Sequence, residues 1–385
     1  MHPWAPPRCL ILSMLLAGCG DAAGPGGVGS SRATQVVAAG DYGCAVDSAG
    51  QAWCWGAGNL GQLGYGDTLG SGVPRAVAGG LALAQISAGD FHACALTRAG
   101  EAWCWGTNFT GVLGIGSITG PEPSPLRVIG GHRFTRLSAG GAHTCALDGD
   151  GAAWCWGQGD NGRLGSADTL DIYLPAAVRT NLRFVAVTAG FAHTCGLTAQ
   201  GEAFCWGSNF RGQLGTGDTL DALSPAPVAG GERFRTVEAG GYHTCGLLQD
   251  GEARCWGNDV TAELGDGHLV AEAIVAPVAV AGDRRFTVLT VGNYHACAIT
   301  GAGAAWCWGQ SVYGKLGNDT YFPTAVPVAV AGAHQFSMIA AASNHTCAAA
   351  RDGQLFCWGR NSLGQLGTGG RSDAFAPVEV APLIE

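Results

Sequence analysis

Seven cysteine pairs punctuate this chain, the two members of each ten residues apart. Cys44 goes with Cys54, Cys94 with Cys104, Cys145 with Cys155, Cys195 with Cys205, Cys245 with Cys255, Cys297 with Cys307 and Cys347 with Cys357. The pairs recur every 50 to 52 residues. A period of that length is one supersecondary unit copied, and so small a unit buries its apolar face only against a neighbouring copy. The unbroken repeat overrides the two or three domains that 385 residues would otherwise suggest. With 65 glycines and only 13% charged residues, the units favour tight turns and short strands, and they show no sustained helical periodicity.

The N-terminal segment has the marks of processing. Arg8 precedes the apolar run Cys9–Leu16, which is too short to span a bilayer, and Leu16-Ala17-Gly18-Cys19 follows. Small residues immediately before a cysteine resemble the bacterial lipobox, in which the cysteine becomes the lipidated N-terminus; an ordinary signal peptide with an incidental cysteine is the rival reading. The expected organisation is a lipoprotein signal peptide over 1–18, lipidated Cys19 with a Gly/Ser-rich tether over 19–33, and one repeat domain over 34–385. Gly20, rather than Asp, follows the cysteine. In the lipobox family this favours the outer membrane, so the expected location is the cell envelope, as a periplasmic or surface-exposed lipoprotein.

Setting aside Cys9 and Cys19, the cysteines form seven complete pairs with no odd thiol. An even set behind an export signal implies disulfides in an oxidising compartment. Metal binding is the alternative, but ligand cysteines come as C-x-x-C with a second pair or histidines close by, and the spacing here is C-x9-C throughout. Formal net charge is −9, and cleavage before Cys19 would remove Arg8 and no acid. An acidic chain with no basic stripe argues against nucleic acid and against anionic lipid heads, leaving the lipid anchor as the membrane contact.

Within each unit the spacing of ten reads as a hairpin. A glycine stands near the midpoint of every pair, as Gly50, Gly100, Gly151, Gly201, Gly251, Gly303 and Gly353. A three-residue hairpin loop commonly ends in a left-handed residue, usually Gly. Placing that loop at Arg98–Gly100 pairs Thr97 with Glu101 and sets Cys94 opposite Cys104, within disulfide reach. The pleat then puts Cys94, Leu96, Ala102 and Cys104 on one face, with Ala93, Ala95, Trp103 and Trp105 on the other. Stacked copies would pack the recurring tryptophan, the equivalent of Trp105, on the small sulfur face of the next copy. Arg254 breaks the aromatic stripe and is expected to pack its stem with its head exposed. Two further strands complete the unit. One ends in Ala-Gly before the first cysteine. The other, Pro-x-x-Val, recurs from Pro74–Val77 to Pro377–Val380, with the proline expected at the start of an edge strand.

Four strands in seven units predict an all-β, seven-bladed β-propeller. The chain opens at the strand Val36–Gly40 and ends on the strand Pro377–Val380. The expected closure has this C-terminal strand completing the first blade.

Gly207-Ser-Asn-Phe-Arg-Gly-Gln-Leu-Gly215, Gly359-Arg-Asn-Ser-Leu-Gly-Gln-Leu-Gly367 and Gly56–Gly64, together with Ala-Gly-x-x-His-Thr-Cys-Ala-Leu, resemble the regulator of chromosome condensation repeat across about residues 34–385. The resemblance implies a seven-bladed propeller. Departures are Gly-Val-Leu-Gly at 111–114, Ala-Glu-Leu-Gly at 262–265, Ala342 in place of a glycine, and a first unit read as one residue short before Cys44. The founding member exchanges nucleotide on a small GTPase and binds chromatin, partners that an exported chain would not meet. An exported bacterial relative that inhibits β-lactamases across one ring face is a precedent for binding.

Possible chemistry is sparse. His92, His143, His193, His243, His295 and His345 stand two before the first cysteine of six units, with Tyr42 in the first. Symmetry would scatter such a ring, so hydrogen bonding to the neighbouring blade is preferred to a metal site. Asp67-Thr68-Leu69, Asp168-Thr169-Leu170, Asp218-Thr219-Leu220 and Asp319-Thr320 offer too few oxygens for calcium and read as turn caps. No nucleophile elbow or phosphate loop occurs, so no catalytic residue, metal or cofactor is assigned. Residues that recur serve the repeat, and function should sit in those that differ. The candidates are the loop-tip side chains Phe109, Phe210, Arg211, Tyr313, Tyr321 and Phe322. The expected role is a monomeric, non-catalytic scaffold that binds another protein or a surface polymer. The alternatives are an exported lyase or hydrolase working in the central funnel, and a nucleotide-exchange-like regulator of a small GTPase.

Overall fold

A computed structural model of the protein describes residues 32–269 and 272–384. The signal segment, Cys19 and most of the tether lie outside the described residues.

The first unit shows how each blade is made. Strands β1 (Ala33–Ala39), β2 (Tyr42–Asp47), β3 (Ala52–Gly56) and β4 (Ser71–Ala76) form one antiparallel sheet in chain order. Six further four-stranded sheets repeat this order, giving seven blades. The first strand of every blade lines a central channel of about 350 Å³, so the blades radiate from inner to outer strand.

The hairpin follows the turn chemistry. The Thr97 N–H donates to Glu101 O at 3.0 Å, that of Gly100 to Thr97 O at 2.9 Å, and Gly100 sits at φ +78°. Cys94 therefore lies directly opposite Cys104 across the hairpin, and the two are bonded. The same disulfide joins Cys44 to Cys54, Cys145 to Cys155, Cys195 to Cys205, Cys245 to Cys255, Cys297 to Cys307 and Cys347 to Cys357. Every pair that the spacing predicts is thus a bridge within its own blade, with Cα–Cα distances of 4.0 to 4.1 Å. The cysteines are fully buried.

Packing between blades is large against small. Trp105 is buried against Cys44, Cys54, Leu63 and Val77, so each indole rests on the sulfur face of the preceding blade rather than the next. Its Nε1–H donates to Gln62 O at 2.9 Å, and Trp156, Trp256 and Trp358 make the same bond to Val112, Gln213 and Lys315. Inner strands are stitched as well. Ser87, Ser138, Thr188 and Thr290 accept the backbone N–H of Ala139, Ala189, Ala239 and Ala341 in the following blade.

The histidines complete this lattice. His92, His143, His193 and His295 reach Thr144, Thr194, Thr244 and Thr346 of the next blade at 2.8 to 2.9 Å. Thr144 gives its only hydroxyl proton to Val112 O, so the His92 Nε2 must donate to it, which fixes the Nε2–H tautomer. Ala296 and Gly43 occupy the threonine place opposite His243 and His345. Tyr42 serves the first blade by donating to His92 O at 2.6 Å. Burial holds the His92, His193 and His243 rings neutral, their pKa values lowered to about 3.

Several expectations are corrected. The last strand, Ala374–Glu379, pairs with its own neighbour Leu355–Gly359 and completes blade seven; β4 completes blade one. The ring therefore closes by packing and hydrogen bonds between whole blades, with no strand exchanged, because each unit already holds both an inner and an outer strand. The first unit is of full length, since Val37 pairs with Cys44 as Ser138 does with Cys145; Ala39 occupies the glycine place. The outer-strand proline sits within its strand, beside an irregularity between Cys54 and Gly56, where no ladder donor is required. The Arg254 head is bound rather than free, 2.8 Å from both Glu232 and Glu252. Asp319 caps no turn. It takes the left-handed place of Gly66 at φ +61°, and Asn318 accepts from Thr320 instead.

Candidate binding face

Antiparallel pairing sorts the loops between the two ends of the ring. Ala39 pairs with Tyr42, and Tyr42 and Ser71 both pair with Gly56, so the β1–β2 and β3–β4 loops share one end. The hairpin turns and the connections between blades share the other.

The first end holds the narrow mouth of the channel. Its floor is a ring of backbone bonds between blades: Gly141 to Gly190 O at 3.1 Å, Phe191 to Gly240 O at 3.0 Å and Gly241 to Gly292 O at 3.2 Å. A Cβ on Gly190 would come within 2.4 Å of Gly240 O, which explains why glycine recurs there. The residue after that glycine varies from blade to blade, so Asp90, Phe191, Asn293 and Ser343 meet around the mouth. Asn293 Nδ2 donates to Ser343 Oγ at 2.7 Å. Burial raises the Asp90 carboxyl pKa, opposed by donation from Asn293 and from the Gly40 N–H.

Around this mouth lie aromatic rings and two sequestered cations. Phe191 and Phe210 each contact Tyr242 edge-on, at 5.6 and 5.4 Å. Lys315, the sole lysine, is fully buried; its Nζ donates to Gln310 Oε1 at 2.8 Å and Ser343 O at 2.9 Å, 5.2 Å from the Tyr294 ring centre. Burial pushes its pKa down to about 7, against the opposing charge of Glu263. Arg163 is likewise buried and turned inward, donating to Asp160 O and Gln158. Deeper in the channel stands Glu238, where neighbouring blades carry Ser138, Thr188 and Thr290. Burial raises its pKa to about 7, opposed by the Thr188 hydroxyl.

All six loop-tip candidates lie on the mouth end, but they do not form one cluster. Phe210 joins Tyr242 and Phe191, with the Arg211 guanidinium 5.5 Å from the Phe210 ring centre. Tyr313 lies under Arg360, 5.4 Å away. Tyr321 and Phe322 pair with each other on the outer rim, and Phe109 is exposed on its own loop. Phe91, Phe191, Tyr242, Tyr294 and Asp90 stand at this end as well, outside the six loop-tip candidates. Their signal was present, because the two residues between the repeated glycine and histidine differ in every unit. The Asp-Thr-Leu loops are turn caps, with Asp67, Asp168 and Asp218 accepting the N–H of Leu69, Leu170 and Leu220. Among the described residues, no group of three or more His, Cys, Asp or Glu could hold a metal ion, and no helix is long and apolar enough to cross a membrane.

Fold and face define the class: a seven-bladed, disulfide-clamped propeller whose variable residues gather on one end. The Regulator of chromosome condensation (RCC1) repeat matches residues 49–96, 99–147, 150–197, 200–247 and 302–349. A second form of the repeat matches 83–111, 134–163, 184–213, 286–315 and 339–365. The chain belongs to this repeat family.

Among solved structures it is similar to Prp20p from Saccharomyces cerevisiae, a protein described with binding properties to Gsp1p and histones (TM-score 0.78, 22% identity, 92% of this chain and 88% of that one). It is also similar to human WBSCR16 (TM-score 0.77, 20% identity, 86% and 94%). At these identities the likeness concerns the fold alone. Among curated proteins, the ultraviolet-B receptor UVR8 of Arabidopsis thaliana is 33% identical over 60 residues, 15% of this chain and only 14% of that protein's length.

Proposed function

We propose that this chain is an exported, lipid-anchored propeller in the cell envelope, and that it acts as a monomeric, non-catalytic scaffold for another protein or a surface polymer. Seven disulfides support an oxidising, exported setting and weigh against a cytosolic GTPase regulator. The observation that carries the binding reading is the division of labour in the ring. The Trp, His and Cys of the repeat are buried between blades, while Phe91, Phe109, Phe191 and Phe210, at positions that vary among blades, are exposed on one end. Exposed aromatics on a rigid frame suit recognition at low entropic cost. Saturable capture of one envelope component by the full chain, lost on changing Phe210 and Phe191 to serine, supports this role. Capture of nothing saturable sinks it.

A second reading, a lyase or hydrolase at the mouth, draws on Asp90 beside Asn293, with Tyr242 nearby. It requires turnover of an envelope polymer that Asp90→Asn abolishes without loss of binding.

A further inference from the structure

We infer that the mouth-side rim of blades three and four docks a basic polypeptide. This deepens the scaffold reading and rests on it. The net charge of the chain conceals a separation. The loops of these two blades expose Asp160, Asp168, Asp171, Asp218 and Asp221. Their cations offset this rim only in part: Arg163, buried and bound inward, meets the charges of Asp160 and Asp171, and Arg211 stands beside Phe210. At the opposite end of the ring several carboxylates pair with arginines, as in Glu101 with Arg127 and Arg133, Glu202 with Arg233, and Asp250 with Arg285.

The acidic rim is also apolar. Leu170 is 67% exposed, Leu220 73%, Phe210 55% and, on the adjoining loop, Phe109 60%. Carboxylates alternating with large exposed apolar groups match a polypeptide that carries Lys or Arg among apolar side chains, and repel anionic lipid or an acidic partner. The carboxylates are held before any ligand arrives. Asp168 and Asp218 accept the N–H of Leu170 and Leu220, and Asp171 and Asp221 accept those of Gly159 and Asn209. A docked chain therefore need not order these loops.

The test uses the full exported chain and two fluorescein-labelled peptides, one alternating arginine with leucine and one alternating glutamate with leucine, read by anisotropy at physiological salt. The rim variant combines Asp168→Asn, Asp218→Asn, Phe210→Ser and Leu220→Ser, in which asparagine keeps the turn bonds. The control variant combines Arg98→Gln and Arg136→Gln at the other end. The expected result is binding of the arginine peptide alone, weakened about tenfold or more by the rim variant, an effect of at least ~1.4 kcal/mol, and unchanged in the control. Equal binding of both peptides, equal loss in both variants, or salt-reversible self-association that the rim variant abolishes overturns the inference; the last would assign the rim to a second copy. Retained envelope capture by the rim variant refutes this inference and leaves the scaffold reading standing, whereas no saturable capture by any form refutes both.

Discussion

Trp55 of the first blade donates its indole N–H to the backbone carbonyl of Gln365 in the seventh, 310 residues away, at 3.0 Å. This is the same bond that Trp105 makes to Gln62 between consecutive blades. The seam is thus an ordinary blade interface without a covalent connection, reinforced by Gly369 N–H to Gly72 O and by burial of Leu383 against blade one. Truncating Trp55 to alanine is expected to cost about 3–5 kcal/mol, as for other buried aromatics. Hydrogen exchange should show blades one and seven opening together. Trp156→Ala should instead loosen blades two and three. Protection unchanged across the seam in Trp55→Ala would contradict closure by packing.

Acid should weaken the ring through its histidines. In the unfolded chain they protonate near 6.5, while in the fold His92, His193 and His243 stay neutral down to about 3. The unfolded state therefore binds more protons below 6.5, and stability falls as pH drops from there toward 3. Urea midpoints at pH 7.5 and 4.5 measure this fall. His92→Gln, which keeps a side-chain N–H for Thr144, should flatten part of it. Nitrogen NMR should find the Nε2–H tautomer at His92, His143 and His193.

Glu238 carries the opposite sign. Its folded pKa of about 7 exceeds the ordinary 4.5, so the fold binds more protons between those values and loses stability as pH rises through 7. Glu238→Gln should raise the unfolding free energy at pH 8, by an amount on the order of 1 kcal/mol, and leave it unchanged at pH 4. Equal effects at both pH values would mean that the side chain acts through packing.

The disulfides should be inert until the blades separate. Their full burial predicts no alkylation of the fourteen bridged cysteines in the native protein by iodoacetamide, even with mild reductant. After denaturation and reduction all fourteen of these cysteines should label, two for each of the seven bridges. Replacing Cys94 and Cys104 together by alanine should cost up to about 2–3 kcal/mol, because each bridge closes only a short local loop.

Local chemistry made the blade legible from the chain alone. The ten-residue cysteine spacing, a glycine in the left-handed place and period-two alternation specify a hairpin with sulfur on one face and indole on the other. All of these interactions fall within one unit, and sequence records them directly. Seven copies of the unit then implied the ring. What tertiary structure decided was every relationship between units. It set each tryptophan on the preceding blade and joined His92 to Thr144. It left the last strand in its own sheet and gathered Asp90, Phe191, Tyr242 and Asn293 at one mouth. Those residues lie 50 or more positions apart, and no local propensity says which way a blade leans on its neighbour. Antiparallel pairing assigns loops to an end of the ring only once the sheets are built, so the acidic, aromatic end remained hidden within a single figure for net charge.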